Sequence, residues 1–84
     1  MSYRVFISQT AVDVVARLRG KQKKLLGEFI RDLEEDSFNE GDFLEMDDSG
    51  REYFTKIIKN YAVSFYPDHA VKEIKVFEIC RADR

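Results

Sequence analysis

The chain has 84 residues, 44% of them hydrophobic and 36% charged, with a net charge of −2. That composition excludes a disordered tail, and the length suits one small domain over residues 1–84 with no deep substrate cavity. The small acidic excess argues against a dedicated nucleic-acid binder, which carries a clear basic balance.

Charge is unevenly spread. Residues 1–31 hold seven Lys/Arg against two acids, whereas residues 32–53 hold ten acids against Arg51 alone. Residues 54–84 hold six basic and four acidic side chains. A basic first third and an acidic middle suit either solvated surfaces or a charged partner. No apolar run approaches the ~20 residues that span a bilayer, so no membrane partner is expected. The single cysteine, Cys80, has no internal disulfide partner. A cytoplasmic location is therefore expected.

Tyr3-Arg4-Val5-Phe6-Ile7 reads as a strand, rich in β-branched and aromatic residues. Thr10 is a candidate helix cap, with Asp13 in the first turn. Ala11, Val14, Val15 and Leu18 repeat at one-face helical spacing, and Gly20 offers a stop. A second helix starts within Lys21–Lys24 and carries the stripe Leu25, Leu26, Phe29, Ile30, Leu33. Gly27 inside it suggests a close approach of the two helices. A loop follows, with Phe38 expected beneath it. Phe43–Met46 is a candidate short strand.

Three β-rich segments complete the chain: Glu52–Ile58, Tyr61–Tyr66 and Glu73–Cys80. Lys59-Asn60 reads as a tight hairpin in which Asn60 tolerates positive φ. Pro67–Ala70 reads as the second connection. Alternation sets Phe54, Ile58, Val63 and Phe65 on one sheet face and Thr55, Ile57, Ala62, Ser64 and Tyr66 on the other. Lys56 falls on the apolar side, where it does not fit without a bulge or a frayed edge. The expected fold is α+β: an N-terminal strand, then a helical hairpin packed on an antiparallel four- to five-stranded sheet.

Four stretches carry a resemblance: Tyr3–Ser8, the linker Leu33–Asp42, the strand Asn60–Tyr66 and the strand Val76–Arg81. In this order and spacing the chain resembles the RelE/ParE toxin family of type II toxin–antitoxin systems, over nearly its whole length. The linker matches the family's L-x-x-D-P-x-N-x-G-D pattern, with Ser37 in place of the proline. The resemblance implies a toxin held by a cognate antitoxin whose extended tail wraps it. RelE-like members cut mRNA on the ribosome, and ParE-like members bind DNA gyrase; no cofactor is implied.

Cleaving members use basic groups on the exposed sheet face plus a proton-transfer residue, because a phosphorane gains negative charge as the 2′-hydroxyl loses its proton. Here the family's basic positions fall at Ala62, Thr55 and Ile57, and Ala82 follows Arg81. The remaining catalytic candidates are Arg81, Lys56, Lys59 and His69, whose imidazole suits proton transfer near neutral pH. Candidate partner-binding residues are Arg17, Arg19, Lys23, Lys24, Tyr66 and Arg84. One Cys and one His cannot make a zinc site without carboxylates, and Asp47-Asp48-Ser49 lacks the alternate-position ligands of an EF-hand loop, so no metal is expected. The depleted face favours docking on a protein target such as gyrase. The alternatives are a ribosome-dependent mRNA endonuclease or an inactive relative that binds only an antitoxin.

Overall fold

A computed structural model describes residues 3–82. β1 (Arg4–Ile7) leads into α1 (Gln9–Arg17) and α2 (Gly20–Asp32). β2 (Phe43–Met46), β3 (Glu52–Ile58), β4 (Tyr61–Asp68) and β5 (Glu73–Arg81) follow. They form one sheet in the order β1-β5-β4-β3-β2. The pairs from β2 to β5 are antiparallel, while β1 joins β5 in parallel, so the sheet is mixed. A parallel neighbour needs a crossover, and the two helices with the β2–β4 meander supply it.

The core is the buried set Ala11, Leu18, Leu26, Ile30, Leu33, Val63, Phe65, Ile74, Val76 and Ile79. Helical spacing places the α1 and α2 members on one stripe each, and strand alternation places the sheet members on one face. Phe65 is the largest of the fully buried side chains, with Phe29 of α2 at 5.7 Å and Phe54 of β3 at 5.9 Å between ring centroids. Both helices therefore cover the same side of the sheet, and among the described residues no helix covers the opposite side.

Local chemistry differs from expectation at four points. Ser8, not Thr10, caps α1: its Oγ accepts from the Ala11 amide at 3.2 Å and donates to the Phe77 carbonyl at 3.0 Å. Gly27 mediates no close approach, because a Cβ there would meet only Arg31 Nη2 at 3.8 Å. In the β3–β4 turn the positive φ of 57° belongs to Lys59 rather than Asn60. Phe38 is 75% exposed and stacks on His69 at 4.8 Å instead of lying under its loop.

The second connection is also shorter than expected. β4 continues through Pro67 and Asp68, which pair with Ile74 and Glu73 of β5. Proline is tolerated there because the β3–β4 ladder ends at Phe54↔Phe65, so no donor is required on that side.

The linker pattern has a structural explanation. The Asn39 carboxamide donates to Asp36 Oδ2 at 3.0 Å, and its Oδ1 accepts from the Gly41 amide at 2.7 Å. Asp42 then binds β3 twice: its amide donates to the Thr55 carbonyl and its Oδ2 accepts from the Ile57 amide, both at 2.8 Å. The carboxylate thus satisfies a strand donor that lies beyond the start of β2.

Candidate functional site

Register decides what the open sheet face presents. Phe43 and Glu45 of β2 lie opposite Thr55 and Tyr53 of β3, and Thr55 and Ile57 lie opposite Ser64 and Ala62 of β4. This agrees with the expected division of faces. β5 adds a β-bulge: Ser64 pairs with Glu78 and Phe65 with Val76, which leaves Phe77 as the extra residue. The bulge turns Phe77 onto the open face, where its ring meets Tyr53 at 5.2 Å and Tyr66 at 5.8 Å.

These three rings, with Asp47 and Arg51, line a notch of about 200 Å3. Arg51 lies over the Tyr66 ring at 5.1 Å, and its Nη1 donates to the Tyr66 hydroxyl at 3.3 Å. A neighbouring cavity of about 520 Å3 extends from Arg51 and Tyr66 past Pro67 to His69. Acidic side chains surround the notch. Thr55 Oγ1 donates to Glu45 Oε2 at 2.7 Å, which fixes that carboxylate beside the rings. Loss of solvation raises the Tyr53 phenol above its ordinary pKa, and the negative charges of Glu45, Glu78 and Asp47 push it further. Three carboxylates thus stand near Tyr53 and Arg51 is the cation beside them, whereas a cleaved phosphodiester requires several converging cations.

The basic candidates are dispersed. Lys56 shares a face with Val63, the helix-covered side, and its Nζ reaches Asp42 Oδ1 at 3.3 Å. That pairing explains how a lysine occupies the apolar side at the sheet margin. Lys59 lies in the β3–β4 turn. Arg81 pairs in register with Tyr61 and lies over its ring at 5.7 Å, on the side that packs against α1. Arg17 and Arg81 line one groove of about 250 Å3 with Val14, Leu18, Tyr61, Ile79 and Cys80. The Lys59 turn is tied to the same end, since the Ala82 amide donates to the Asn60 carbonyl at 2.7 Å.

His69 occupies the opposite end of the β4–β5 hairpin. The ladder between Tyr61 and Asp68 corresponds to roughly 23 Å at ~3.3 Å per residue. His69 Nδ1 and the Tyr3 hydroxyl share a 2.7 Å hydrogen bond, and Phe38 covers the ring. These contacts join the N-terminal segment, the linker and the turn. The structure thus brings Arg81 and Arg17 together at the end that holds the Lys59 turn, ties Lys56 to Asp42 and sets His69 at the far end of the hairpin.

Lys23 and Lys24 are exposed on α2, Arg19 is exposed at the α1–α2 junction, and Tyr66 is central to the notch. Arg84 lies outside the described residues. The Cys80 thiol is raised above its usual pKa by loss of solvation and by Glu78, which reduces its thiolate. Among the described residues no three His, Cys, Asp or Glu side chains converge as metal ligands, and no helix is long and apolar enough to cross a membrane.

Sequence reading alone missed Tyr53, Phe77 and Arg51 as companions of Tyr66. A signal for Phe77 was present: the inward apolar residues Ile74, Val76 and Ile79 break the two-residue period, which marks an inserted residue.

No protein-family model and no curated protein sequence matches this chain. Solved structures do match in fold. A chain of the archaeal RelE–RelB complex from Pyrococcus horikoshii superposes with a TM-score of 0.82 at 20% identity, over 100% of this chain and 99% of that one. A chain of the RelBE2 toxin–antitoxin complex from Mycobacterium tuberculosis gives 0.76 at 17%, covering 96% and 99%. A mutant of the Escherichia coli toxin RelE in the free state gives 0.75 at 14%, covering 99% and 86%. The fold is therefore RelE-like, as the resemblance implied.

Proposed function

We propose that this chain is the toxin of a RelE-type toxin–antitoxin pair, and that it acts by docking on a protein target rather than by cutting RNA. The observation that carries this reading is the open sheet face. It presents Tyr53, Tyr66 and Phe77 among Glu45, Glu78 and Asp47, with Arg51 as the cation lining the notch, where cleavage would require several converging cations. The exposed basic residues Arg17 of α1, Arg19 at the α1–α2 junction and Lys23 and Lys24 of α2 are available to a charged protein partner. A cognate antitoxin is the expected regulator, in keeping with the toxin–antitoxin complexes among the structures of like fold. DNA gyrase is the first target to assay, and a cytoplasmic site of action accompanies this reading.

One observation favours the endonuclease as a second reading: Arg17 and Arg81 share a groove beside the Lys59 turn. Two assays on the purified chain separate the readings. Inhibited gyrase supercoiling with intact mRNA in a translating extract supports docking. Cut mRNA, abolished by Arg81→Ala, overturns it in favour of the nuclease. Neither effect, with an antitoxin still bound, identifies an inactive relative.

A further inference from the structure

Among the described residues nothing pairs with the outer edge of β2, and its surroundings specify what would pair with it. β2 ends the sheet order. The Asp47 amide donates to the Arg51 carbonyl at 2.9 Å, so alternation directs Glu45 and Phe43 toward β3. The backbone N–H and C=O of Leu44 and Met46 then point outward. Proteins ordinarily shield such an edge with charge, a bulge or a covering segment. This one instead exposes Phe43, Leu44 and Met46 at 54%, 60% and 62%.

On the helix-side surface, a cavity of about 390 Å3 opens directly at this edge. Leu44 and Phe54 provide apolar walls, and Glu40, Asp42 and Glu52 provide carboxylates. Asp42 is engaged by Lys56 and the Ile57 amide, whereas Glu40 and Glu52 have no ion pair among the described residues. On the other surface Glu45 lies beside Phe43.

We propose that the β2 edge binds an extended, lysine- or arginine-rich segment of a partner protein as a sixth strand, with one basic side chain seated between Glu40 and Glu52. Main-chain bonds to Leu44 and Met46 hold the strand, and its alternate side chains meet the cavity on one surface and Phe43 with Glu45 on the other. Charge selects the occupant, since residues 32–53 carry ten acids against one arginine. A second copy fits poorly. Pairing Leu44 with Met46 of an antiparallel copy sets Glu45 directly opposite Glu45, which is destabilising. The same charge repels nucleic acid. The inference rests on this edge alone and is independent of the toxin reading.

The test uses two labelled peptides of about nine residues, the reach of a long strand, one alternating Lys with Val and the other Glu with Val. Fluorescence anisotropy measures binding to the full chain, and hydrogen exchange locates it. The Lys–Val peptide is expected to bind and to slow exchange of the Leu44 and Met46 amides, while the Glu–Val peptide does not bind. Combining Glu40→Gln with Glu52→Gln is expected to weaken binding about tenfold with the melting temperature unchanged. Absent binding, protection confined to other segments, or unaltered affinity in the double variant overturns the proposal. Protection of the same amides by raised chain concentration alone assigns the edge to a second copy and overturns it equally.

Discussion

Gly41 occupies a position with no room for a side chain. Its φ is 60°, and a Cβ would approach the Thr55 carbonyl oxygen to 2.7 Å. Both the left-handed backbone and the immovable carbonyl oppose substitution, so Gly41→Ala is expected to cost about 1–3 kcal/mol. Urea denaturation checks this. Gly27 is the converse case, a helical glycine whose added Cβ would make only an ordinary contact, with Arg31 Nη2 at 3.8 Å. Gly27→Ala is expected to stabilise the chain by about 0.5–1 kcal/mol, and a lowered urea midpoint would refute it. The helical pattern around Gly27 was legible in sequence. The space beside it was not, because space depends on how two helices approach across residues distant in sequence.

Individual elements are secured at their ends. Ser8 closes the first turn of α1 and also holds the Phe77 carbonyl at the β5 bulge. Ser8→Ala is expected to cost about 1 kcal/mol and to raise exchange in the first turn of α1. β2 is bracketed by two aspartates. Asp42 is held below its usual pKa of 3.8, first by the Ile57 amide and then by Lys56. Asp47 is lowered first by the Ser49 hydroxyl and then by the Arg51 amide.

A depressed carboxylate contributes stability above its unfolded pKa, and that contribution disappears as pH falls through the folded value. The β2–β3 pairing is therefore expected to loosen below pH 3.8, before the core does. Hydrogen exchange of the Glu45 and Asp47 amides monitors this loosening, and Asp42→Asn should reduce its pH dependence. Both aspartates fall in recognisable turn and linker sequences. That Asp42 would reach an amide 15 residues away was visible only after β3 had folded beside it.

At the scale of the molecule, Phe65 joins the layers, packing against Phe29 of α2 and Phe54 of β3. Phe65→Leu is expected to destabilise the whole fold by about 1–2 kcal/mol while retaining a single cooperative transition by circular dichroism and fluorescence. A variant that melts in two steps would show that helix layer and sheet are not one cooperative unit.

The order of strands and helices, the two sheet faces and the acidic middle of the chain all followed from the amino-acid sequence itself. Each depends on periodicity or composition within a short window, and burial of apolar stripes leaves little choice in how they pack. Tertiary pairing alone decided the parallel docking of β1 on β5, the bulge that turns Phe77 outward, and the separation of His69 from Arg81. Those features arise from register between segments as much as 69 residues apart, and register is settled by the whole sheet at once.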